Sequence, residues 1–271
     1  MDILAIDIGN SRTKIGLFAD SALRRTWDIA THETSPDDVA SLLTSIPAGC
    51  RVGISSVVAT RTPCWQQHLQ HHRCDVTVIT GNSPTPLVNR YATPQTLGPD
   101  RLMAAVAAVA CAGTPVIPVS LGTAIVVDAV SAAGEYLGGM IAPGIRPASD
   151  ALTQATSALY AVTWEPSTSV IGRSTHDALT NGLHHLMLGG IERMIDATRQ
   201  ALGASAPVVM TGGWASAVAP VLRDPVIVEP FLVLHGIAHL IGMFPTHSPV
   251  VAHHITQGTA GVHLRKTEPC E

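Results

Sequence analysis

The chain has 271 residues, of which 46% are hydrophobic and 13% are charged, and its formal net charge is −4. This length fits one large or two medium domains with a substantial apolar core, and the lack of a basic patch argues against nucleic acid as a partner. The sequence has neither a signal-like N-terminus nor an apolar run long enough to span a membrane, and its five cysteines are irregularly spaced. We therefore expect a cytoplasmic protein with reduced thiols that associates with neither nucleic acid nor a membrane.

Residues 3–79 alternate short apolar runs with the signals that begin helices. Ser35 precedes Pro36 and two aspartates, which is the pattern of an N-cap followed by a first helical turn. Because this helix intervenes, the apolar run Arg51–Val58 after it is expected to form a strand parallel to the first one, Ile3–Ile8. The predicted strands are Ile3–Ile8, Lys14–Phe18, Leu23–Ile29, Arg51–Val58 and Val76–Ile79, and the predicted helices begin at Pro36, ending near Ile46, and at Thr62.

Residues 81–99 form a polar loop that contains four prolines and the isolated Tyr91. A loop of this length inside a compact domain is usually either functional or disordered. An alanine-rich helix, Leu102–Cys111, follows the loop. Its small side chains predict close packing against another helix.

From Pro115 onward the opening pattern of strand, glycine turn, strand, turn and strand is repeated, and this repeat aligns Asp7 with Ser120. Two such units indicate a duplicated, ribonuclease H-like α/β fold with mixed sheets and flanking helices, the architecture of the actin, sugar kinase and Hsp70 superfamily. We predict two units, 1–113 and 114–271, with a nucleotide between them. The predicted strands of the second unit are Val116–Val119, Ala124–Val130, Glu135–Ile141, Val208–Thr211 and Val226–Val228, and its helices are Arg146–Thr156, His176–Leu202 and Phe231–Phe244, before a poorly ordered tail after Pro245.

Three glycine turns, each at the end of a buried strand, form the first candidate site. A carboxylate beside such a turn can hold Mg²⁺ through water, while the N–H groups and polar side chains of the turn bind phosphates. Asp7 would supply this carboxylate, and residues 10–14 would supply hydrogen-bond donors. An ordinary β-hairpin is the alternative for each turn taken alone. The turns are Asp7-x-Gly9-Asn10, Ser120-x-Gly122-Thr123 and Gly212-Gly213.

The second candidate is Gly98-Pro99-Asp100-Arg101, which lies at the start of the alanine-rich helix. Asp100 would accept or orient the hydroxyl of a substrate in phosphoryl transfer, and Arg101 would neutralise an anionic substrate. The helix N-terminus is expected to lower the pKa of Asp100. The alternative role of Asp100 is that of an N-cap or first-turn acid.

A third group, Cys64, His68 and His72, shares one helix face because its members are four residues apart. Zinc accepts such ligands, but Trp65 and Leu69 compete to define the buried face, and the sequence has no CxxC or HExxH motif. Ordinary core or surface roles are therefore the alternative to a metal site.

Six motifs, in order from Ile3 to about Met243, are together similar to the type III pantothenate kinase family. The opening Asp-x-Gly-Asn-Ser turn resembles the ATP turn of that family, and Gly98-Pro99-Asp100-Arg101 resembles its Gly-x-Asp-Arg substrate motif. The remaining motifs are Val52–Val58, Leu121–Ala124 with Tyr136–Gly144, Ile171–Thr175 and Thr211–Gly213.

This resemblance implies ATP-dependent phosphorylation of the primary hydroxyl of pantothenate, the first step of coenzyme A synthesis, with Mg²⁺ and a monovalent cation such as K⁺ or NH₄⁺. It also implies a homodimer in which the partner subunit completes the pantothenate pocket. Asp100 would be the catalytic carboxylate, and Asp7 would anchor Mg²⁺ through water. The implied ATP contacts are Asp7, Ile8, Gly9, Asn10, Ser11, Arg12, Thr13, Lys14 and Thr123, and the implied pantothenate contacts are Tyr91, Gly98, Pro99, Asp100, Arg101 and Thr175.

Ser120 departs from the resemblance, because the family usually has an aspartate there that binds the monovalent cation. A neutral hydroxyl is a weaker cation ligand than a carboxylate. The chain therefore dispenses with the cation, recruits Asp128 for it, or is a catalytically weak or inactive relative that acts as a regulatory or accessory binding protein. Phosphorylation of another small polyol or acid is a further alternative.

Overall fold

Two mixed β-sheets with helices packed against them make up the chain. The structure is a computed structural model that describes residues 2–33 and 35–242. The predicted tail after Pro245 lies outside the described residues. Within those two ranges, no helix has the length and apolar character needed to cross a membrane.

The first sheet is built from residues 3–79. Its elements are β1 (Ile3–Ile8), β2 (Arg12–Ala19), β3 (Ala22–Ala30), α1 (Pro36–Leu43), β4 (Arg51–Ser56), α2 (Thr62–His71) and β5 (Asp75–Ile79). The strand order is β3-β2-β1-β4-β5, with β1 antiparallel to β2 and parallel to β4. Ser35 caps α1 as predicted, because its hydroxyl accepts the Asp38 N–H while the Asp38 carboxylate accepts the Ser35 N–H.

The second sheet is built mainly from residues 117–228. Its elements are β6 (Val88–Asn89), α3 (Pro99–Ala112), β7 (Ile117–Leu121), β8 (Ala124–Val130), β9 (Glu135–Pro143), α4 (Ile145–Ala155), α5 (Thr175–Leu202), β10 (Val208–Thr211), α6 (Ala215–Val218), β11 (Ile227–Val228) and α7 (Leu232–Leu240). The strand order is β11-β10-β7-β8-β9-β6. β7 is antiparallel to β8 and parallel to β10.

The two sheets repeat one topology, which confirms the predicted duplicated, ribonuclease H-like α/β fold. In each sheet, three consecutive antiparallel strands are extended on one side by two parallel strands. Asp7 is level with Ser55 on the neighbouring parallel strand, and Ser120 is level with Thr211. Each of the two lies one residue before the last residue of its strand. The register therefore agrees with the predicted alignment of Asp7 with Ser120.

Several element boundaries differ from the predicted ones for local reasons. The polar loop contains β6, which pairs with β9, and a 3-10 turn at Pro94–Thr96, so part of it is ordered by the second sheet. The alanine-rich helix begins at Pro99, not at Leu102, because proline is well suited to the first helical position. Ser120 belongs to strand β7 and not to the turn after it.

Helices α3 and α7 pack between the two sheets and explain the small residues of α3. The α3 residues from Leu102 to Ala108 are buried. A Cβ added to Gly236 of α7 would lie 2.0 Å from the Met103 carbonyl oxygen, so the two backbones are in close contact. Although α7 follows the second sheet in sequence, it packs against β1 and β4. The division into units 1–113 and 114–271 stays a prediction.

Candidate active site

The first two glycine turns meet directly between the sheets. The Ser11 and Thr123 hydroxyl oxygens, one from each turn, are 2.9 Å apart. Each turn is closed in a similar way, with the Gly9 N–H donating to the Arg12 carbonyl and the Gly122 N–H donating to the Ala124 carbonyl, both at 3.0 Å. The structure thus brings together two turns that are more than a hundred residues apart in sequence.

The third glycine turn packs against the end of β7, next to the second turn. Gly212 has φ of +101°, and a Cβ there would lie 2.4 Å from the Leu121 carbonyl oxygen, so a larger residue would be strained and in collision. The Trp214 N–H donates to that same carbonyl at 3.3 Å. Gly213 borders open space, which leaves its backbone accessible. All three predicted turns therefore lie at one end of the two sheets.

Within the first turn, the side chains divide into structural and available groups. Arg12 is held by an ion pair of 2.7 Å with Asp28, and Thr13 is buried with its hydroxyl 3.0 Å from that of Thr31. Ile8 is buried in the core. Asn10 and Ser11 are exposed. The turn therefore offers a ligand its backbone and the side chains of Asn10 and Ser11, while Arg12 and Thr13 hold its shape.

Asp7 is partly buried and lies near a second carboxylate, and both features affect its protonation. Burial and the nearby charge of Asp100 raise the pKa of Asp7 from 3.8 to about 7. The positive charge of Lys14 and a hydrogen bond of 3.4 Å from the Ser55 hydroxyl oppose this shift without cancelling it. Two close carboxylates with too little compensating charge suit a divalent cation, so the donor set fits Mg²⁺.

Asp100 lies in the first turn of α3, but it is not the N-cap, which is Gly98. A Cβ at Gly98 would lie 2.4 Å from Asp100 Oδ1, so glycine at this position leaves room for the carboxylate. The Arg101 N–H donates to the same oxygen at 2.9 Å. The expectation of a lowered pKa is wrong: burial raises the pKa of Asp100, and the hydrogen bond and charge of Arg101 oppose this only in part.

Arg101 points away from solvent and into a buried ion pair. Its Nη2 and Nε donate to the two carboxylate oxygens of Asp128 at 2.6 and 3.2 Å. The side chains of Arg101 and Asp128 are 8% and 2% exposed. Arg101 Nη1 donates to the Tyr91 hydroxyl at 3.4 Å, and the guanidinium carbon lies 5.4 Å from the centre of the Tyr91 ring. The structure thus brings together the predicted residues Tyr91, Asp100 and Arg101.

Sequence reasoning did not find the role of Asp128 as the partner of Arg101. The available signal was one acidic residue within the apolar strand β8, since an unpaired charge is rarely buried.

Thr175, by contrast, begins α5 in an exposed position. Within residues 2–33 and 35–242, its side chain makes no hydrogen bond to Tyr91, Asp100 or Arg101.

The position of Ser120 does not fit a carboxylate-based cation site. Ser120 lies between Val126 and Thr211 in the sheet, and neither neighbour carries a charge. Both carboxylate oxygens of Asp128 already accept hydrogen bonds from Arg101, so Asp128 is a poor substitute. In the part of the chain that the structure describes, no group of three or more His, Cys, Asp or Glu side chains could hold a metal ion.

The predicted face of Cys64, His68 and His72 is engaged in local hydrogen bonds. His68 Nδ1 lies 2.8 Å from the Cys64 carbonyl oxygen, and His72 Nε2 lies 3.0 Å from the Ile46 carbonyl oxygen. Trp65 and Leu69 form the buried face of α2. These contacts favour the alternative to a metal site.

Comparison with known proteins agrees with this arrangement. The family model described as Type III pantothenate kinase matches residues 3–197. The chain belongs to the type III pantothenate kinase family. It is 36% identical over 245 residues to the type III pantothenate kinase of Thermomicrobium roseum, covering 87% of this chain and 95% of the relative. It is 35% identical over 247 residues to that of Roseiflexus sp., covering 87% and 96%.

Solved structures share the fold at lower sequence identity. A proposed transcriptional activator of the Baf family from Campylobacter jejuni superimposes with a TM-score of 0.59 at 20% identity, over 88% of this chain and 96% of that one. A proposed N-acetylmannosamine kinase from Listeria monocytogenes superimposes with a TM-score of 0.50 at 13% identity, over 89% and 98%. At these identities the likeness concerns the fold alone.

Proposed function

We propose that this chain transfers the terminal phosphoryl group of ATP to the primary hydroxyl of pantothenate, which gives 4'-phosphopantothenate in the first step of coenzyme A synthesis. Membership of the type III pantothenate kinase family supports this reaction. The observation that carries the proposal is the meeting of two glycine turns beside the electrostatically coupled carboxylates Asp7 and Asp100. Phosphoryl transfer needs phosphate binding, metal binding and a carboxylate near the acceptor hydroxyl.

The proposed roles follow from the position of each group. The backbone and side chains of Asn10, Ser11 and Thr123 bind the phosphates of ATP from both sides of the junction between the turns. Asp7 would hold Mg²⁺ through water, and the chemistry supplied by such an ion would be neutralisation of charge on the phosphates. Asp100 accepts a hydrogen bond from the primary hydroxyl of pantothenate and aligns its oxygen for in-line attack.

The electrostatic coupling between Asp7 and Asp100 links cation binding at Asp7 to the ionisation of Asp100. In the free chain, burial raises the pKa of both carboxyl groups, and it raises that of Asp7 to about 7, so Asp7 is only partly ionised near neutral pH. A cation at Asp7 favours the ionised form of both groups. Asp100 is then a better hydrogen-bond acceptor for the substrate hydroxyl when ATP and Mg²⁺ are bound.

We also propose a cytoplasmic homodimer. Apolar side chains remain exposed on and before α5: Leu186 is 66% exposed, Val170 is 76% exposed and Ile171 is 79% exposed. A partner subunit would cover such a surface. Thr175, at the exposed start of α5, would then contact pantothenate in the site of the partner subunit.

The variant Asp100→Asn tests the proposed reaction. It should lower turnover by about a hundredfold or more, because the amide offers the hydroxyl no charged acceptor, while the affinity for ATP changes little. ADP formation is measured with ATP, Mg²⁺ and pantothenate, and ATP affinity is measured by calorimetry. Asp20→Asn is the control and should keep turnover, because it removes an exposed carboxylate at the end of β2 that lies farthest from the glycine turn.

Two outcomes would contradict the proposal in different ways. Turnover of Asp100→Asn at the rate of the unaltered chain would remove Asp100 from the reaction. Failure of the unaltered chain to form ADP with pantothenate, despite binding it, would favour a regulatory or accessory binding protein. ADP formation with another polyol or acid, competitively blocked by pantothenate, would reassign the substrate.

A further inference from the structure

Arg101 lies next to the proposed acceptor carboxylate, yet the donors that would bind a second carboxylate are occupied. The fork of Nε and Nη2 is the geometry that binds carboxylates through two parallel hydrogen bonds. In this chain Asp128 accepts both of those bonds, and the pair is buried. The third nitrogen, Nη1, faces the Tyr91 hydroxyl.

The surrounding backbone is shaped to hold this arrangement. Asp128 is level with Gly139 on β9, where a Cβ would lie 2.6 Å from Asp128 Oδ1 and 2.0 Å from the Val127 carbonyl oxygen. At Gly138, a Cβ would lie 2.9 Å from the Tyr91 ring. Two consecutive glycines therefore leave room for the two side chains that hold Arg101.

Because Asp128 neutralises the charge of Arg101, it changes which chemical groups Arg101 can bind. An unpaired guanidinium attracts anions, whereas a buried guanidinium already paired with a carboxylate carries little net charge as a unit. Its remaining N–H groups still donate hydrogen bonds to hydroxyl or carbonyl oxygens. The charges of Arg101 and Asp128 also act on Asp100 in opposite directions, which places all three groups within one electrostatic neighbourhood.

The chemistry of pantothenate gives this arrangement a consequence. Its second hydroxyl and its amide carbonyl lie close to the primary hydroxyl that is phosphorylated, whereas its carboxylate lies at the far end of the molecule. The charge of Arg101 acts on the Asp100 carboxylate, so the guanidinium lies near the group proposed to hold the reacting end of the substrate. A hydroxyl or carbonyl oxygen at the reacting end is a suitable acceptor for the charge-neutralised guanidinium of Arg101. The carboxylate at the far end of pantothenate does not require Arg101 as its partner.

We propose that Asp128 is a positioning residue of the acceptor pocket, which holds Arg101 so that it donates to the second hydroxyl or amide carbonyl of the substrate and not to its carboxylate. This inference rests on the proposed function, since it concerns how the same site holds its acceptor. Asp128 acts through Arg101 and touches no reacting atom. It sets the direction of the guanidinium and cancels its charge.

The test compares pantothenate with pantothenyl alcohol, in which a neutral CH₂OH group replaces the carboxylate. Dissociation constants of both compounds are measured by calorimetry with a non-hydrolysable ATP analogue present, for the unaltered chain and for Asp128→Asn. Both affinities should fall about tenfold or more in the variant, since a misdirected contact costs on this scale. Their ratio should stay within about twofold, because a group that binds the shared end affects both compounds equally.

If Arg101 binds the carboxylate of pantothenate, a different result is expected. Removal of the Asp128 charge would then leave a free guanidinium and would favour pantothenate over the alcohol. A shift of this ratio by about fivefold or more in either direction overturns the proposal, as do unchanged affinities for both compounds. ATP affinity should not change, which separates this role from a general loss of structure.

Further variants keep the test decisive if Asp128→Asn does not fold. Tyr91→Phe removes the hydroxyl that accepts from Nη1, and Arg101→Lys keeps the charge without the fork; each should weaken both compounds equally. Glu135→Gln is the matched control, because it breaks an ion pair with Arg90, an arginine that is much more exposed than Arg101. Both affinities should stay unchanged in this variant. A chain that neither binds nor phosphorylates pantothenate before any substitution overturns the proposed function and this inference together, whereas an active chain with a shifted ratio overturns the inference alone.

Discussion

Replacement of Asp7 by asparagine should stabilise the ligand-free protein at neutral and alkaline pH, and it should weaken the stabilisation of the protein by ATP and Mg²⁺. Burial and the charge of Asp100 raise the pKa of Asp7 from 3.8 in the unfolded chain to about 7 in the folded one. Between these values, the folded chain holds a proton that the unfolded chain has lost. The free energy of unfolding therefore falls as pH rises from about 4 to about 7, and the full penalty applies above about 7.

The size of the effect follows from the shift in pKa. A difference of about three pKa units corresponds to about 4 kcal/mol, at about 1.4 kcal/mol for each unit. Asparagine carries no charge, so it avoids this penalty, although its buried amide needs partners and an unpaired one costs about 1–3 kcal/mol. We therefore expect Asp7→Asn to be more stable than the unaltered chain by about 1–3 kcal/mol at pH 8. Below pH 4 the charge penalty is absent and only the cost of the amide remains, so the variant should be less stable there by about 1–3 kcal/mol.

Urea unfolding at a series of pH values measures this prediction. The unaltered chain should regain stability when ATP and Mg²⁺ are added, by about 2.7 kcal/mol at a ligand concentration of one hundred times the dissociation constant. Asp7→Asn should regain much less, because the proposed metal ligand is lost. Asp100→Asn is the informative control, since removal of its charge should lower the pKa of Asp7 and flatten the same pH dependence in part. A variant that is less stable at pH 8 than the unaltered chain, with the same slope against pH, would refute the assigned burial and charge coupling.

The remaining predictions concern the cation and the contact between α3 and α7. Turnover with ATP and Mg²⁺ should be the same in sodium and potassium buffers, because Ser120 supplies no carboxylate and Asp128 is paired with Arg101; stimulation by K⁺ of tenfold or more would contradict this reasoning. Gly236→Ala should lower the free energy of unfolding by about 3 kcal/mol or more, because the new Cβ meets the Met103 backbone at 2.0 Å. Gly16→Ala, whose Cβ meets only side-chain atoms at 2.9 Å or more, is the comparison and should lose less in the same urea titration.

The fold was predictable because its pattern is local and occurs twice. A buried strand, a glycine turn and a second strand are each recognisable within about ten residues, and their recurrence at Ser120 indicated the duplicated topology. Strand β6 was missed because two residues in a proline-rich loop carry no periodic signal, and its pairing with β9 depends on tertiary contacts. Helix boundaries differed by a few residues, as expected where the caps and the packing compete.

The residues of the candidate site were predictable by type, but their protonation and partners were not. The helix N-terminus of α3 predicted a lowered pKa for Asp100, whereas the structure buries the carboxylate beside other acids and raises its pKa. Arg101 was expected to neutralise an anionic substrate, but Asp128 on strand β8 accepts its paired hydrogen bonds. Both differences arise from contacts between distant segments, which a motif does not encode.

The duplication is symmetric in its backbone and asymmetric in its charges. Asp7 and Ser120 occupy equivalent positions beside equivalent glycine turns, yet only Asp7 carries a carboxylate. Asp128 of the second sheet is neutralised by Arg101, whereas neither Asp7 nor Asp100 forms an ion pair of this kind within residues 2–33 and 35–242. Uncompensated negative charge is therefore concentrated on the side of the first turn. This charge distribution supports the proposal that a divalent cation and the phosphates of ATP bind on that side, where the neutral second turn would approach the phosphates without repelling them.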